Sequence, residues 1–493
     1  MKLIDILKDC KYEVLCGHIN KDVKEIAYDS RKVLDDYVFV ALTGFMVDGH
    51  KYIDSAIDNG ASVIVVEKDV DINSDSDVTV IKVNDSRRSL ATMSRAFYGY
   101  PDKELTTIGI TGTKGKTTTS WTIMKMLEED GKKCGCIGTM GVFFGDKYYH
   151  TVNTSPEAYD VYKYMREMIN DGVKYLVMEV SSQSLMLHRW DDMTFDYGVF
   201  TNLSLDHVGK DEHDSYEDYA NCKSRLFKQS LHGIFNIDDK EYSRMIDGFK
   251  GDIHTFGKND DADLKLVNST NIIEPGFIGI DMKVEGIIND EFRVSIPGNF
   301  NAYNMMAAIS VCNLIGISVD SMKKTLAYIS VKGRLEPVPV SDKFNVLIDY
   351  AYQGIAMENV IKTIREANPG RIVVVFGCGG NRSKQRRYDC GKVASTLADY
   401  SIITADNSRY EDVNDIINDI LSTFEGDSYK IIPDRREAIK YSIVNAKEGD
   451  VIMILGKGHE DYQEINGTRF PFDERVVIRE ILDSLTEEEK KNL

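Results

Sequence analysis

Positive charge is scarce in this chain. Its 493 residues carry 60 Lys and Arg against 79 Asp and Glu, a formal net charge of −19, and a surface of that sign repels phosphate backbones instead of displacing their counterions. Neither nucleic acid nor an anionic membrane is expected as a partner, so any anionic ligand has to be held by local basic groups. Cysteine is sparse too. Eight residues, at 10, 16, 134, 136, 222, 312, 378 and 390, form no C-x-x-C pair, which favours reduced thiols in the cytoplasm over a disulfide framework or structural zinc. The one close pair, Cys134 and Cys136, reads as buried thiols in a strand. Long apolar runs are missing: none approaches the ~20 residues of a membrane span. The first residues, Met1-Lys-Leu-Ile-Asp-Ile-Leu-Lys-Asp, alternate charged and apolar side chains without a signal-peptide core. A soluble protein of about three domains, at roughly 150 residues each, is expected.

What is present is α/β punctuation. Residues 1–100 mix short strand patterns (37–42, 62–66, 78–83) with helical ones and close on the turn-rich Tyr98-Gly-Tyr-Pro. From residue 105 the order is strand, loop and helix: Trp121, Met124 and Leu127 recur at helical spacing, Gly131 ends the helix, and 134–138 resumes as a strand. A second such unit places Val161, Met165 and Met168 on one helix face before an apolar strand at 175–180, as in a parallel sheet covered on both faces. Alternation at 278–284 predicts a small antiparallel addition before a helix over 301–312. After Gly333-Arg-Leu-Glu-Pro the texture resets: strands at 346–349, 371–376, 401–404 and 451–455 alternate with helices near 356–366, 413–423 and 435–446. The charged tail, 485–493, is expected to fray. These boundaries predict domains at 1–100, 101–335 and 336–493.

The chemistry concentrates after the strand at 105–110. Residues 109–119 read Gly-Ile-Thr-Gly-Thr-Lys-Gly-Lys-Thr-Thr-Thr, a phosphate-binding loop in which Gly112 and Gly115 let backbone N–H groups approach, Lys116 supplies a cation, Thr117 offers a hydroxyl to Mg²⁺ and the helix N-terminus adds its dipole. The general G-x(4)-G-K-[ST] pattern wants glycine where this chain has Ile110, so this is a variant loop. Glu179 ends a buried strand one βα unit later, the place of a carboxylate holding Mg²⁺; a capping or salt-bridged Glu is the plainer alternative. His207 follows another strand and on its own reads as structural. Lys223, on a predicted helix, reads by default as a solvated lysine or a phosphate contact.

Taken together, Thr111-Gly-Thr-Lys-Gly-Lys-Thr-Thr, Met178-Glu-Val-Ser-Ser, Thr201-Asn-Leu-Ser-Leu-Asp-His, the Tyr-x-x-Cys-Lys-Ser-x-Leu-Phe run around Lys223 and Gly333-Arg-Leu-Glu resemble the ATP-dependent Mur ligases of peptidoglycan synthesis, over essentially the whole chain. Asp29-Ser-Arg, Asp406-Asn-Ser-Arg and Gly456-Lys-Gly-His-Glu-Asp-Tyr-Gln resemble the branch that adds the third stem-peptide residue to UDP-MurNAc-L-Ala-D-Glu. The resemblance implies a three-domain α/β fold: an N-terminal UDP-MurNAc-binding domain, a central P-loop parallel-sheet domain and a C-terminal Rossmann-like, amino-acid-binding domain. It implies an acyl-phosphate mechanism in which ATP is contacted by residues 112–118 (Gly112, Thr113, Lys114, Gly115, Lys116, Thr117 and Thr118) with Asn301 and Arg334. Thr117, Glu179, His207 and a carbamylated Lys223 would hold two Mg²⁺ ions, with Lys116, His207 and Lys223 serving catalysis. Ser30, Asn153, Thr154, Ser155, Ser181 and Arg189 would bind the UDP-MurNAc-dipeptide, and Arg382, Asp406, Asn407, Arg409, Gly456 and Glu460 the incoming amino acid. Arg382 and Arg409 match arginines that diaminopimelate-adding members aim at carboxylates. A cytoplasmic monomer is expected.

Five positions depart from the family pattern. Leu187 stands where glutamine is common, Tyr352 replaces a histidine, Gln353-Gly354 replaces Thr-Pro, and Ser408 replaces a proline that would stiffen the turn. They keep open a paralogue that adds lysine or joins another carboxylate and amine.

Overall fold

The structure, a computed structural model, describes residues 1–44, 47–70, 77–151, 153–205, 209, 213–274, 277–367 and 369–493. It divides into two compact units, Met1–Asn259 with Ala307–Ile317, and Asp260–Met306 with Ser318–Leu493. No helix among the described residues is long and apolar enough to cross a membrane.

The first unit holds two sheets. In one, β1 (Tyr12–Cys16), β2 (Glu25–Ala27), β3 (Tyr37–Val40), β4 (Ala61–Val66) and β5 (Thr79–Val83) lie in the order β1-β5-β4-β3-β2. In the other, β6 (Thr106–Thr111), β7 (Cys134–Gly138), β8 (Gly141–Phe144), β9 (Lys147–Tyr149), β10 (Tyr175–Glu179), β11 (Phe195–Phe200), β12 (Ser230–Asn236) and β13 (Asp252–Gly257) run β13-β12-β11-β6-β10-β7-β8-β9. The strands of this second sheet are parallel from β13 to β7, with β8 and β9 returning antiparallel. Polar contacts and helix packing join the first sheet to the P-loop sheet within this unit. Tyr28 donates to Asp160, Arg87 pairs with Glu157, and the helix Ser86–Phe97 packs on Ala158–Asn170. Cys134 and Cys136 are buried in β7 as free thiols, and burial, reinforced by Glu179, pushes Cys136 up to about 12.

The second unit opens with the antiparallel strands β14 (Leu264–Glu274), β15 (Phe277–Gly286) and β16 (Asp290–Val294). Its main sheet takes β17 (Glu336–Val338), β18 (Asn345–Asp349), β19 (Ile372–Phe376), β20 (Tyr400–Ile403), β21 (Tyr429–Ile431) and β22 (Val451–Leu455) in the order β17-β18-β22-β19-β20-β21, parallel except β17. Period-two alternation explains the continuous apolar strands. Ile372, Val374 and Phe376 face one core with Val451, Met453 and Leu455, whereas Val373, Val375, Ile452 and Ile454 face the other. A hairpin, β23 (Tyr462–Ile465) with β24 (Thr468–Pro471), follows.

The tail departs from expectation. Leu485 is buried, Glu489–Asn492 forms a 3-10 turn, and Ser341 Oγ donates to the Leu493 carbonyl at 2.8 Å. Its leucines and a backbone partner dock it, and these outweigh the charge run that read as frayed.

One buried ion pair braces this sheet. Arg435 and Glu474, both wholly buried, open the helices Arg435–Val444 and Glu474–Ser484, and the guanidinium meets Glu474 Oε1 at 2.8 and 2.6 Å. It also donates to the carbonyls of Ala405 at 3.1 Å and Leu455 at 2.9 Å, at the ends of β20 and β22. Burial pushes the Glu474 carboxyl up while Arg435 draws it down. Removing one partner strands a buried charge. Glu474→Ala should therefore lower stability in urea unfolding by about 3–5 kcal/mol, whereas Arg435→Met with Glu474→Leu should recover most of it.

Candidate active site

The phosphate loop leaves the end of β6 and is shaped by the chain that leaves β11. Asn202 reaches it three times: its carbonyl accepts from Thr113 N at 2.9 Å, its Oδ1 from Lys114 N at 3.0 Å, and its Nδ2 donates to the Lys114 carbonyl at 3.0 Å. Thr201 Oγ1 adds a bond to the same carbonyl at 2.8 Å. That closeness dictates glycine at 112, where a Cβ would lie 2.0 Å from Thr201 Oγ1 and φ is +151°. Gly115, at φ 86°, is the N-cap of the helix Lys116–Glu129 and leaves that terminus without a side-chain cap, so its first N–H groups point to an anion site. Lys116 Nζ bonds the carbonyls of Gly112 at 2.8 Å and Thr113 at 3.2 Å. Lys223, 1% exposed, donates to the same Gly112 carbonyl at 2.9 Å from over the Tyr219 ring. Two ammonium groups thus meet on one oxygen at the loop.

Glu179 stands at the end of β10, 2% exposed. Its Oε2 accepts from Thr117 Oγ1 at 3.1 Å and Thr139 Oγ1 at 3.1 Å, and its Oε1 from Thr139 N at 2.9 Å. Among the described residues the set is a carboxylate and hydroxyls, oxygen donors that suit Mg²⁺. His207 lies outside the described residues. Several dipeptide candidates gather beside this group. Thr154 Oγ1 lies 3.0 Å from Thr139 Oγ1, Ser155 Oγ bonds the Glu179 carbonyl at 2.8 Å and Ser181 Oγ at 3.2 Å, and Ser181 caps the helix Ser182–Met186. Asn153 is exposed, Leu187 ends that helix, and Ser30 opens the 3-10 turn Ser30–Lys32, its carbonyl accepting from Asn59 Nδ2 at 2.9 Å. Arg189 is already engaged: Glu157 takes it at 2.7 and 3.1 Å, and the Ser155 carbonyl at 2.5 Å.

Near the cluster, His213, Asp218 and Cys222 bring three ligand atoms within 4.8 Å of one another. His213 Nδ1 and an Asp218 oxygen are only 2.8 Å apart, closer than the ~3.3 Å between two such ligands on one tetrahedral zinc. They are a hydrogen-bonded pair.

The second unit contains a cavity of about 290 Å³ lined by Tyr350, Tyr352, Arg382, Arg386, Asp406, Asn407, Arg409, Gly456 and Glu460 among others. It lies at the carboxyl ends of β18, β19, β20 and β22, the ligand edge of an open parallel sheet. Arg409 holds a left-handed backbone, φ 52°, a conformation that costs a non-glycine residue of order 1 kcal/mol or more and persists only when over-determined. Its N–H donates to the Glu464 carbonyl at 3.0 Å, its own carbonyl accepts from Asn466, and its Nη1 reaches the Gly380 carbonyl at 2.7 Å. The turn lacking proline at Ser408 is therefore pinned by the hairpin. Asn301 and Arg334 also belong to this unit: Asn301 is buried on the Pro297 carbonyl at 2.7 Å, and the Arg334 guanidinium lies 5.6 Å from the Tyr350 ring centre. Burial and the cations Arg334, Lys332 and Arg475 push His459 down to about 4.

This division of labour, a phosphate loop in one unit and a charged cavity in the other, is matched along the chain. The family model for the Mur ligase catalytic domain matches residues 22–98, that for the Mur ligase middle domain residues 110–312, and that for the glutamate ligase domain residues 333–458. The UDP-N-acetylmuramoyl-L-alanyl-D-glutamate--2,6-diaminopimelate ligase of Caldanaerobacter subterraneus subsp. tengcongensis is 43% identical over 98% of this chain and 99% of its own. The ligase of the same description from Clostridium tetani is 39% identical over 98% of this chain and 100% of its own. A solved structure of a ligase so described superposes with a TM-score of 0.73 at 27% identity, covering 98% and 99% of the two chains. The chain belongs to the Mur ligase family. Its fold is the three-domain α/β architecture of these ATP-dependent, ADP-forming ligases.

In this Mur ligase several residues that shape the site had been given no role by the sequence, although Asn202 and Lys457 lie within motifs that carry the family resemblance. Asn202 and Thr139 are ordinary polar residues in loops, Glu157 acts through partners distant in sequence, and Lys457 ties the distant Asn407 to Glu460 on its own loop. Only the proximity of strand ends, which needs the sheet order, brings them in. Gly112→Ala puts a methyl into Thr201 and Asn202. The KM for ATP should rise roughly tenfold or more, equivalent to about 1.4 kcal/mol, with the circular dichroism spectrum unchanged; steady-state kinetics against ATP measure it.

Proposed function

We propose that this Mur ligase joins 2,6-diaminopimelate to UDP-MurNAc-L-Ala-D-Glu with conversion of ATP to ADP and phosphate, the third amino-acid addition in cytoplasmic peptidoglycan precursor synthesis, and that it acts as a monomer. Residues 1–100 would bind the UDP-MurNAc part, 101–335 ATP and 336–493 the amino acid. The observation that carries the reading is the cavity in which Arg382 and Arg409 face Asp406, Asn407 and Glu460: guanidinium for carboxylate and carboxylate for ammonium, the complement of an amino acid with a charged distal centre.

The residues divide the chemistry. The substrate carboxylate attacks the γ-phosphorus of ATP, ADP leaves, and the amine then displaces phosphate from the acyl phosphate, giving up a proton as the amide forms. Lys116 and the N–H groups that open its helix, from Gly115 to Thr118, would hold the phosphates in line, with the loop before them shaped by the Asn202 bonds to Thr113 and Lys114, so catalysis is mostly positioning and charge stabilisation. Thr117 and Glu179 would hold Mg²⁺, which neutralises phosphate charge when bound. An unmodified Lys223 brings a second cation to the carbonyl that Lys116 already occupies. Loss of one proton from the ammonium, addition of CO₂ to the free amine and loss of a second proton turn that cation into a carbamate anion that would suit a second ion alongside Glu179 and His207. Asn301 and Arg334 would contact the nucleotide.

A second reading, addition of lysine or another amine, is favoured by two features. Tyr352 puts a 43% exposed ring in the cavity wall, and Arg409 is partly spent on Gly380 and on Glu464, 3.5 Å away.

Arg409→Ala separates these readings. Loss of a charge-assisted contact costs about 1.5–3 kcal/mol, so kcat/KM for diaminopimelate should fall roughly 10- to 150-fold while that for lysine changes little. A wild type that prefers lysine, or equal losses for both, would support the second reading. Lys223→Ala should abolish ligation and regain part of it when formate or acetate is supplied; full activity without added acid would remove the carbamate.

A further inference from the structure

Behind the cavity wall lies a cation that does not line it. Lys457, with a wholly buried side chain, donates from Nζ to Asn407 Oδ1 at 3.0 Å and to Glu460 Oε2 at 3.2 Å, and stands 5.4 Å from the Tyr462 ring centre. Those bonds settle the orientation of Asn407. Its Oδ1 accepts from Lys457 and from Glu464 N at 2.9 Å, so its Nδ2 is the group that donates to Glu460 Oε2, at 2.8 Å. Asn407 and Glu460 both line the cavity, and one buried ammonium holds both in register.

The charge balance follows from this. Arg382, Arg386, Arg387 and Arg409 line the cavity with Asp406 and Glu460; Arg387 is paired with Glu411 and Asp419, Glu464 lies 3.5 Å from Arg409, and Lys457 adds a further positive charge directly behind Glu460. A lone ammonium entering here faces a surplus of cations. A distal centre carrying both ammonium and carboxylate is neutral overall and can use Glu460 and the arginines together. Discrimination of this kind needs a repulsive element as well as an attractive one, and Lys457 supplies it without touching the ligand.

Building on the reading above, we propose that Lys457 is a positioning residue for amino-acid selection: by fixing Glu460 and Asn407 and adding charge behind them, it makes the cavity prefer an amino acid with a zwitterionic distal centre over one with a lone ammonium.

The test is Lys457→Met in the full-length enzyme, with folding checked by circular dichroism and kinetics measured for diaminopimelate, lysine, ATP and UDP-MurNAc-L-Ala-D-Glu. The KM for diaminopimelate should rise about tenfold or more, the range for losing a charge-assisted network. The kcat at saturation and the KM values for ATP and the UDP-MurNAc-dipeptide should hold within about twofold, and the diaminopimelate-to-lysine ratio of kcat/KM should fall about tenfold. Adding Lys457→Met to Glu460→Gln should worsen the amino-acid KM little beyond Glu460→Gln alone, because both act on one contact. Equal rises in every KM, or an unchanged diaminopimelate-to-lysine ratio, would show a merely structural lysine and overturn the proposal. Should Lys457→Met fail to fold, Lys457→Gln decides: it keeps a polar group beside Asn407 and Glu460 but removes the charge, so it must lower the ratio, and an unchanged ratio overturns the proposal equally. A wild type that ligates neither amino acid overturns the functional reading itself, and the role of Lys457 with it.

Discussion

Two lysines share one backbone oxygen. Lys116 and Lys223 both donate to the carbonyl of Gly112, at 2.8 and 2.9 Å, and the first unit is arranged around making that possible. The carbonyl is presented because Gly112 has no side chain, and it has none because Thr201 and Asn202 fill the space where one would go. Those two residues are there because β11 lies parallel to β6, pairing Phe200 with Thr111, so that both chains leave the sheet at one level. On the other side, β10 pairs Glu179 with Ile110 and delivers the carboxylate to Thr117. A parallel sheet thus aligns three strand ends, and positive charge concentrates where nucleotide phosphates would lie.

The second unit applies the same logic with a different brace. Its cavity is bounded by loops leaving β20 and β22, and Arg435 ties both strand ends, through Ala405 and Leu455, to Glu474. A buried ion pair of this kind contributes little net stability over an apolar replacement; its bonds fix where Asp406 and Gly456 begin. Arg409, strained into the left-handed region, and Lys457, buried behind Glu460, extend that rigidity to the groups that would meet a ligand, as a preorganised binding site requires.

Much of this was legible in the sequence, and for identifiable reasons. Strands in the parallel sheets are continuous apolar runs ended by polar residues, so those at 134–138, 175–180, 371–376 and 451–455 could be placed closely, as could the phosphate loop, whose glycines and lysine act locally. Short or edge strands such as Glu25–Ala27, Glu336–Val338 and Tyr429–Ile431 were not legible, because three residues hold no periodicity. The tail misled because its charge outweighed the few leucines that dock it. Within the candidate site, single residues at strand ends could be named, whereas their partners could not. The engagement of Arg189 by Glu157, the three bonds from Asn202 and the orientation of Asn407 by Lys457 all depend on contacts between segments far apart in sequence.

The most direct measurement is an amino-acid panel on the unmodified enzyme, with ATP, Mg²⁺ and UDP-MurNAc-L-Ala-D-Glu, read by phosphate release and by product mass. The account predicts stoichiometric phosphate with meso-diaminopimelate and a product equal to the two substrates less one water, with lysine turned over far more slowly. Lysine turned over as fast or faster, or ATP consumed without amide product, would contradict it.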